Sequence, residues 1–343
     1  MKAIASSDWH LSPSTAPFVW ATIDQLAKEV TQRETYLVVC GDILEQPRSL
    51  DGGLWLELSS RLRAFPCPVV LIPGNHDQLV RGDWATSPLL ALSGRNIHVV
   101  GRPEWHAHLG LLVPYTDPAN WAEYVVDALT TGEEAQSAPR VTWAHQGFKG
   151  AYQNLMRRDA DGIDVPRGMR TTITGHYHMP QNLGPLIYCG SPYQTSHAET
   201  GQTKSYLVFD DLKPSVDMPL PRRVAFEPIG PRYWTLVWAN PNEDPPALPA
   251  EWREGDVVRV VAAMAKDDLR SRGKQLSKAG LKTASLVAKP PAREAIGRGI
   301  LSDNSSAVDA ATDWLIAVHG PDPTTPDPHD VMDFAREHDL WPA

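Results

Sequence analysis

Five short stretches of the sequence carry carboxylate, amide and imidazole side chains beside glycines or apolar runs. Carboxylate and amide oxygens combined with imidazole nitrogens suit Mn²⁺, iron or Zn²⁺ better than Ca²⁺ or Mg²⁺, which prefer oxygen alone. The residue types therefore predict a transition-metal site. The five stretches are Asp8-Trp9-His10, Gly41-Asp42, Gly74-Asn75-His76-Asp77, His145 and Gly175-His176-Tyr177-His178.

Seven of these side chains are predicted metal ligands. Two ions about 3.5–4 Å apart need one shared ligand, and a carboxylate suits this role because each oxygen can serve one ion. We expect Asp42 to be the bridge. The predicted ligands of the first ion are Asp8, His10, Asp42 and His178, and those of the second are Asp42, Asn75, His145 and His176.

Two further residues of the third stretch are predicted to be catalytic. Two divalent ions would neutralise the oxygens of a phosphodiester and generate a nucleophilic water near neutral pH. His76 follows a predicted ligand, so it could donate to the phosphate or to the leaving oxygen. Asp77 is predicted to orient His76. These residues indicate phosphodiester hydrolysis.

Each motif alone also has a purely structural explanation. An Asp-x-His pair is usually a surface pair, Gly41-Asp42 can be a simple turn, and a single histidine such as His145 is more often structural than a ligand. The combination favours the metal site, because all five motifs occur in order and each follows a strand-like run.

The elements that must position these side chains form an α/β pattern. Apolar or β-branched runs predict strands, and apolar residues at helical spacing predict helices. Because α/β folds build active sites in loops at strand ends, the polar residues are expected there. The predicted strands cover residues 2–7, 36–40, 69–72, 111–113, 141–144, 171–174, 186–189 and 206–209, and the predicted helices cover residues 18–33 and 54–65.

The motif set resembles the calcineurin-like metallophosphoesterase superfamily, with its pattern D-x-H, G-D, G-N-H-D/E, H and G-H-x-H. The resemblance implies a four-layered α/β/β/α sandwich. Two stretches resemble more narrowly the SbcD-type DNA repair nucleases of bacteria and phages. They are the run SSDWHL from Ser6, and YCGSP from Tyr188 followed by SYLVFD from Ser205.

This resemblance implies a DNA exo/endonuclease subunit of repair or recombination. The implied cofactors are two divalent ions, with Mn²⁺ as the expected metal. The implied partners are DNA, an SMC-like ATPase subunit of the SbcC type and a second copy of the chain in a homodimer. Glu45 stands where the family often has Asp or His, and Ser12 replaces a common glycine, so the role of position 45 stays open.

Three segments are predicted along the chain. Residues 1–225 are the expected catalytic domain, and residues 226–290 are expected to form a small β-α-β module that contacts DNA. Residues 291–343 are expected to be a helical tail that docks on the ATPase, with helices at 306–318 and 329–338. Proline-rich stretches at 214–231 and 241–249 mark the change in composition.

Acidic residues outnumber basic ones, with 41 Asp and Glu against 32 Lys and Arg, and the formal net charge is -9. The candidates for DNA contact are Lys149, Arg157, Arg158, Arg270 and Arg272, with Arg167 and Arg170 in the same interval as the first three. A solvated helix face interleaved with aspartates explains the first group equally well. Three aromatic residues beside the motifs, Trp9, Tyr177 and Tyr193, are candidates for base stacking or for packing.

Composition indicates a soluble globular protein, with 42% hydrophobic and 21% charged residues. The three cysteines, Cys40, Cys67 and Cys189, show no CxxC spacing and are expected to be buried thiols in a reducing compartment. The sequence shows no signal-peptide pattern and no apolar run of transmembrane length. We therefore expect a cytoplasmic protein without membrane contact.

Two alternatives to the DNA nuclease stay open. The first is a phosphodiesterase or phosphatase for small molecules, such as cyclic nucleotides. The second is a scaffold for the ATPase that keeps the fold without the chemistry. The complete set of predicted ligands counts against the scaffold, and the additional C-terminal module favours DNA over a small substrate.

Overall fold

A computed structural model of the chain describes most residues up to Ala288. The described ranges are 2–30, 35–49, 51–125, 141–154, 157–165, 171–212, 220–240, 242–262, 264, 266–281 and 284–288. The predicted tail at 291–343, Arg167 and Arg170 lie outside the described residues. Among the helices described, none is long and apolar enough to cross a membrane.

The chain divides into two compact units. The larger comprises the described residues up to Tyr193 together with Thr203–Gly230. The smaller comprises Gln194–Gln202 and the described residues from Pro231 onward. The predicted domain ranges 1–225, 226–290 and 291–343 stay predictions.

The larger unit contains fourteen described strands in two six-stranded sheets and one hairpin. In chain order they are β1 (Lys2–Ser6), β2 (Thr35–Cys40), β3 (Val69–Ile72), β4 (Ile97–Val99), β5 (Glu104–His106), β6 (Gly110–Val113), β7 (Val141–His145), β8 (Tyr152–Asn154), β9 (Arg157–Arg158), β10 (Thr171–Gly175), β11 (Gln181–Leu183), β12 (Leu186–Tyr188), β13 (Ser205–Phe209) and β14 (Arg222–Ala225).

The first sheet has the order β14-β13-β1-β2-β3-β4, and the second has the order β11-β12-β10-β7-β6-β5. Strands β1 to β4 run parallel in the first sheet. In the second sheet β6, β7, β10 and β12 are parallel. Antiparallel strands flank both parallel sets. The predicted α/β class is therefore confirmed.

Alternating side chains bury both faces of the first sheet. On β2, Leu37 and Val39 join the core on the helix side, whereas Val38 and Cys40 join the core between the sheets. Successive side chains of a strand point to opposite faces, so such continuous apolar runs mark strands that are covered on both sides. The cysteines Cys40, Cys67 and Cys189 are buried free thiols.

Two helices cover the outer face of the first sheet. Helix α1 (Ala16–Glu29) buries Val19, Ile23 and Leu26 at helical spacing. Helix α2 (Gly52–Arg63) begins after Asp51, whose carboxylate accepts hydrogen bonds from two backbone amides of the first turn. Residues 121–125 are helical, and Trp121 in this segment packs in a third hydrophobic core on the outer face of the second sheet.

The smaller unit contains a three-stranded parallel sheet in the order β15-β16-β17. Two short helices connect β16 to β17 and bury Leu269 and Leu276 in the core of the unit. The elements are β15 (Tyr233–Trp238), β16 (Val257–Ala262), α3 (Lys266–Ser271), α4 (Gly273–Lys278) and β17 (Ser285–Ala288).

Candidate metal centre

The predicted ligands lie at the carboxyl ends of parallel strands. Asp8 and His10 follow β1, Asp42 follows β2, and Asn75 follows β3 in the first sheet. In the second sheet His145 ends β7, while His176 and His178 follow β10. Parallel strands end at the same edge of a sheet, so the five motifs converge although they are far apart along the chain.

Four of the predicted ligands have left-handed backbone conformations. The φ angles are 55° at Asp8, 51° at His10, 51° at Asp42 and 89° at His176. Only one other non-glycine residue among those described, Arg95, has a positive φ. Such conformations cost about 1–3 kcal/mol each and cluster at functional sites, because the surrounding structure must hold them in place. The strain singles out these four residues.

Two glycines allow the motifs to approach each other closely. A Cβ atom added at Gly41 would lie 2.1 Å from Nδ1 of His145, and Gly41 has a φ of +86°. A Cβ atom at Gly74 would lie 2.2 Å from Oδ1 of Asp42. Any side chain at these positions would displace a predicted ligand.

The first group of donors comprises Asp8, His10 and His178, whose nearest ligand atoms all lie within 4.8 Å of one another. The Nε2 atoms of His10 and His178 are 3.0 Å apart. Nδ1 of His10 lies 2.8 Å from Oε2 of Glu45, an arrangement that turns Nε2 of the same ring towards His178. These donors are arranged around one point.

The second group comprises Asp42, His145 and His176, again within 4.8 Å. Nε2 of His145 is 3.2 Å from Oδ2 of Asp42 and 3.2 Å from Oδ1 of Asn75. The Nδ1–H of His145 donates to the backbone carbonyl of Cys40 at 2.7 Å, so Nε2 is the nitrogen that can bind a metal after it loses its proton. Nδ1 of His176 lies 2.8 Å from Oδ1 of Asn75.

Asp42 lies between the two groups. Its carboxylate belongs to the second group and also lies within 4.8 Å of donor atoms on His10 and His76. The backbone N–H of His76 donates to Oδ1 of Asp42 at 2.8 Å. The mixed oxygen and nitrogen donors are of the types that divalent ions bind, and the division of the ligands between two ions stays a prediction.

The structure gives Asp77 a different position from the predicted one beside the His76 ring. Its buried carboxylate accepts hydrogen bonds from the backbone amides of Ile43, Leu44 and Gly74 at 2.8–3.2 Å. The ring Nδ1–H of His76 instead donates to the carbonyl oxygen of Glu45 at 2.9 Å. Asp77 thus positions the loop that carries Asp42, and Glu45 contacts both His10 and His76.

Burial and neighbouring charges shift the pKa values of four titratable groups at the candidate centre. At His10, the effect of burial is outweighed by Glu45, Asp42 and Asp8, which raise the pKa to about 9. At His145, burial is likewise outweighed by Asp42 and Asp8, which raise the pKa to about 9. Burial and the nearby His145 lower the pKa of His176 to about 3. Burial and the Asp42 carboxylate raise the pKa of Asp77 to about 7.

Metal binding is expected to release protons at neutral pH. His10 and His145 hold protons below their raised pKa of about 9, and a ligated imidazole must give that proton up. Protons therefore compete with the metal, and the apparent affinity should rise as the pH increases towards 9. Calorimetric titration at pH 7 in buffers of different ionisation enthalpy should detect about two protons released per chain. An affinity independent of pH over this range would contradict the assignment of these ligands.

Sequence reasoning missed Lys204, which holds the backbone of the predicted ligand His178. This buried lysine donates from Nζ to the carbonyl oxygen of His178 and to Oγ of Ser191, both at 3.0 Å. The sequence shows only a lysine before a strand, so no signal marks the role. The contact becomes visible only once the turn at Ser191 is brought beside His178.

Replacing Lys204 by methionine is expected to loosen the loop that carries His178. The change removes two hydrogen bonds of a buried ammonium group, and a hydrogen bond to a charged group contributes about 1.5–3 kcal/mol. The carbonyl oxygen of His178 keeps the backbone amide of Ser191 as a donor. We expect a lower melting temperature and weaker binding of one of the two ions. The same substitution at the exposed Lys149 is the control and should change neither quantity. Equal effects of both variants would contradict a supporting role for Lys204.

A cleft of about 320 Å³ opens beside the candidate metal centre. The exposed guanidinium groups of Arg48 and Arg81 border it, and Arg81 donates from Nε to the hydroxyl of Tyr115 at 3.0 Å. The Tyr115 ring lies 5.9 Å from the ring of His176, centroid to centroid. The sequence analysis did not single out either arginine as a candidate for substrate contact. The lining residues are Glu45, Gln46, Pro47, Arg48, Asn75, His76, Gln78 and Arg81.

The predicted DNA contacts fall in both units. Arg157 and Arg158 are exposed on the β8–β9 hairpin, and Lys149 is exposed just before it. The hairpin adjoins the centre because Asp159, the next residue, accepts a hydrogen bond from the hydroxyl of Tyr177. In the smaller unit, Arg270 pairs with Asp267 at 3.5 Å and Arg272 lies over the ring of Trp238.

The aromatic residues beside the motifs are packing residues. Trp9, Tyr177 and Tyr193 are 0%, 7% and 2% exposed, so their faces are covered by the protein. The alternative of base stacking at these positions does not hold, because a base needs an accessible ring face.

Comparison with known proteins places the fold. Residues 1–180 match the calcineurin-like phosphoesterase family. No curated protein sequence matches the chain. One similar solved structure is the Pseudomonas putida nuclease MPE, with 17% identity, a TM-score of 0.30 and coverage of 60% of this chain and 83% of that chain. Another is GAP50, the anchor in the inner membrane complex of Plasmodium, with 10% identity, a TM-score of 0.35 and coverage of 66% and 89%. Neither likeness bears on the substrate.

Proposed function

The chain belongs to the calcineurin-like phosphoesterase family. We propose that it hydrolyses the phosphodiester backbone of DNA with two divalent ions, and we expect these ions to be Mn²⁺. The observation that carries the proposal is Asp42, whose carboxylate lies between two groups of donors beside an open cleft. When bound there, the ions would supply a nucleophilic water and neutralise the phosphate oxygens.

His76 is suited to act on the leaving group. Its ring lines the cleft, and its Nδ1–H is held by the carbonyl oxygen of Glu45. In the imidazolium form, the proton on Nε2 can pass to the leaving oxygen, which would otherwise depart as an alkoxide. The backbone N–H of His76 also holds Oδ1 of Asp42, so the catalytic ring is fixed relative to the predicted bridge.

Arg48 and Arg81 are suited to hold the phosphate beside His76. Both guanidinium groups are exposed at the cleft, and the contact of Arg81 with Tyr115 places it near the His176 side of the centre. Guanidinium groups recognise phosphate oxygens as charged hydrogen-bond donors. This arrangement serves any phosphodiester, whether in a polymer or in a small molecule.

The β8–β9 hairpin favours a polymer over a small substrate. Arg157, Arg158 and Lys149 add exposed positive charge outside the cleft, in a chain whose net charge is -9. Phosphates on either side of the scissile bond would meet these residues, whereas a cyclic nucleotide would be contained by the cleft. A continuous nucleic-acid backbone could contact both the arginines of the cleft and the basic residues of the hairpin.

A repair or recombination role with an SMC-like ATPase of the SbcC type belongs to the same proposal, as does a homodimer. Its support is the resemblance of the SSDWHL and YCGSP runs to the SbcD-type nucleases. The three-stranded module in the smaller unit carries Arg270 and Arg272 as further candidates for DNA contact.

The substrate class is tested by incubating the purified chain with Mn²⁺ and labelled linear duplex DNA, single-stranded DNA or a cyclic dinucleotide. The wild type is compared with Arg81→Ala, and a chelator removes the metal. We expect DNA cleavage that requires metal and falls in the variant. Turnover of the cyclic dinucleotide without cleavage of DNA would overturn the proposed substrate, and retention of all activity in the chelator would overturn the metal mechanism.

Removing the charge of the hairpin should weaken duplex binding in a salt-dependent way. Each phosphate contact contributes about -0.9 to the slope of log K against log salt concentration. Replacing Arg157 and Arg158 together by alanine should therefore make the slope shallower by about 1.8. Fluorescence anisotropy with labelled duplex at several salt concentrations measures it. Lys28→Ala, an exposed lysine on α1, is the control. A slope unchanged in the double variant would remove the hairpin from the interface.

A further inference from the structure

Two exposed apolar side chains lie in a loop at the rim of the cleft beside the candidate metal centre. Leu79 and Val80 are 40% and 54% exposed. They stand between Gln78 and Arg81, both of which line the cleft, and we refer to residues 78–82 as the rim loop. Among its described residues, the larger unit has only two other large hydrophobic side chains that are exposed. Half of this exposed apolar surface is therefore concentrated at one point beside the cleft.

Hydrogen bonds hold the rim loop in one conformation. The buried side chain of Gln78 closes its base, because it donates from Nε2 to the carbonyl oxygen of Tyr115 at 2.8 Å and accepts at Oε1 from the backbone amide of Gly82 at 2.7 Å. Gly82 has a φ of +85°, a left-handed conformation that glycine adopts without strain. The rim loop is thus a closed turn that the protein itself holds in place.

The backbone of the apolar pair is also bonded within the protein. The carbonyl oxygen of Leu79 accepts a hydrogen bond from the guanidinium group of Arg48 at 2.9 Å. The backbone amide of Val80 donates to Oγ1 of Thr86 at 3.0 Å, and its carbonyl oxygen accepts from the amide of Asp83 at 3.0 Å. Because this backbone is already ordered, a ligand that covers the two side chains loses little binding free energy to ordering the loop.

Positive charge flanks the apolar pair on both sides. Arg81 follows Val80 directly, and the ring of Tyr115 fixes its guanidinium group, which lies 5.3 Å from the ring centroid. On the other side, Arg48 contacts Leu79, and a guanidinium group carries five N–H donors, so this contact leaves room for a phosphate. Apolar surface between two guanidinium groups matches a nucleotide, which joins an anionic phosphate to a base with apolar faces.

The small size of the apolar pair also favours a nucleotide over a protein partner. A specific protein interface buries about 800 Å² on each partner, which two side chains of one loop cannot supply. A single flat base, in contrast, can be covered by one or two aliphatic side chains, as it is where leucine or another apolar residue inserts beside a base. The occupant that fits the rim loop is therefore a nucleobase.

We propose that Leu79 and Val80 contact the face of a nucleobase next to the phosphate that Arg48 and Arg81 hold. This inference rests on the proposed hydrolysis of DNA and adds a contact with the base to the contacts with its phosphates. Every base has such a face, so the contact does not depend on the base sequence. A phosphodiester without a base would leave both side chains in water, and the rim loop thereby favours nucleotide substrates.

The test compares two labelled single strands of the same length in the presence of Mn²⁺. One is an ordinary oligodeoxynucleotide, whose base faces are accessible, and the other is built from abasic tetrahydrofuran nucleotides. The full-length wild type is compared with the double variant Leu79→Ser/Val80→Ser, and kcat and KM are measured for both strands. Circular dichroism establishes that the variants are folded, and Leu79→Ala alone replaces the double variant if the latter is not.

The matched control is Leu220→Ser, which removes another exposed leucine of the larger unit. Strand β14 is antiparallel to β13, which is antiparallel to β1, so β14 runs parallel to β1. Leu220 precedes β14 and lies at the amino end of this sheet, whereas the predicted ligands follow the carboxyl ends of its strands. The control therefore changes surface hydrophobicity away from the cleft.

We expect the wild type to have a lower KM for the ordinary strand than for the abasic strand. The double variant should lose about tenfold in kcat/KM on the ordinary strand, mainly through KM, because two partly covered aliphatic side chains contribute on that order. The loss should be several-fold smaller on the abasic strand, where no base is present. Leu220→Ser should behave as the wild type on both strands.

Two results would overturn the inference and leave the hydrolysis of DNA standing. They are an unchanged kcat/KM of the folded double variant on the ordinary strand, and an equal loss on both strands, which would indicate a structural effect of the loop. Failure of the wild type to cleave either strand with Mn²⁺ is a different result, since it would overturn the proposed function and this inference together.

Discussion

Replacing Asp42 by alanine should abolish binding of both ions and all phosphodiesterase activity. Asp42 belongs to the donor group with His145 and His176, and its carboxylate also lies within 4.8 Å of His10 and His76. Loss of the carboxylate therefore affects both positions at once. The loss should exceed the about 10–100-fold decrease typical of residues that only support a ligand. Metal content by elemental analysis and hydrolysis of a labelled DNA substrate are measured on the same preparation.

The matched control for this variant is Asp42→Asn. Asparagine keeps the size and one oxygen donor but cannot give one oxygen to each ion, so it should retain part of the metal. Circular dichroism establishes that both variants fold, since Asp42 also pairs with the buried His145 at 3.2 Å. Two ions and full activity in Asp42→Ala would show that another residue bridges them. If Asp42→Ala lost all metal but kept the protein's cellular function, the result would favour the alternative of a non-catalytic scaffold for the ATPase.

Replacing His76 by alanine should separate catalysis from metal binding. A general acid contributes about 10²–10⁴-fold to the rate, so kcat should fall by that factor. Metal content should stay at the wild-type value, because His76 is not among the seven predicted ligands. Its ring is held by the carbonyl oxygen of Glu45 and lines the cleft, a position suited to the leaving group.

The structure also offers a competing role for His76, which the same measurement decides. A ring nitrogen of His76 lies within 4.8 Å of donor atoms on His10 and Asp42. If His76 were a ligand, the variant would lose metal together with activity, and added Mn²⁺ would restore part of the rate. His197→Ala, a histidine in the smaller unit, controls for loss of an imidazole and should change neither value.

Most of the elements were predictable because their causes are local. The strands at 36–40 and 69–72 are continuous apolar runs, and the structure has them at Thr35–Cys40 and Val69–Ile72. Helix α2 was predicted from residue 54, but it begins at Gly52 because the side chain of Asp51 caps its first turn. Its end at Arg63, like its start, depends on backbone hydrogen bonds that apolar spacing does not reveal.

The role of Asp77 could not be predicted, because its partners are distant in the sequence. Adjacency to His76 suggested that Asp77 orients that ring. In the structure the carboxylate binds the amides of Ile43 and Leu44, more than thirty residues earlier in the chain. For the same reason the sequence did not mark Lys204 and left the role of Glu45 open, since each contacts a predicted ligand only after the loops assemble.

By itself, the sequence determined which chemistry this protein can support and where the polar residues stand relative to the strands. Those properties follow from residue type and from periodicity, which neighbouring residues determine. Only the tertiary structure decided which donors share a point, that Asp77 supports a loop, and that His10, after a strand of one sheet, meets His178, after a strand of the other. Distances between residues remote in the chain depend on sheet order and register, and side chains that never adjoin along the chain set both.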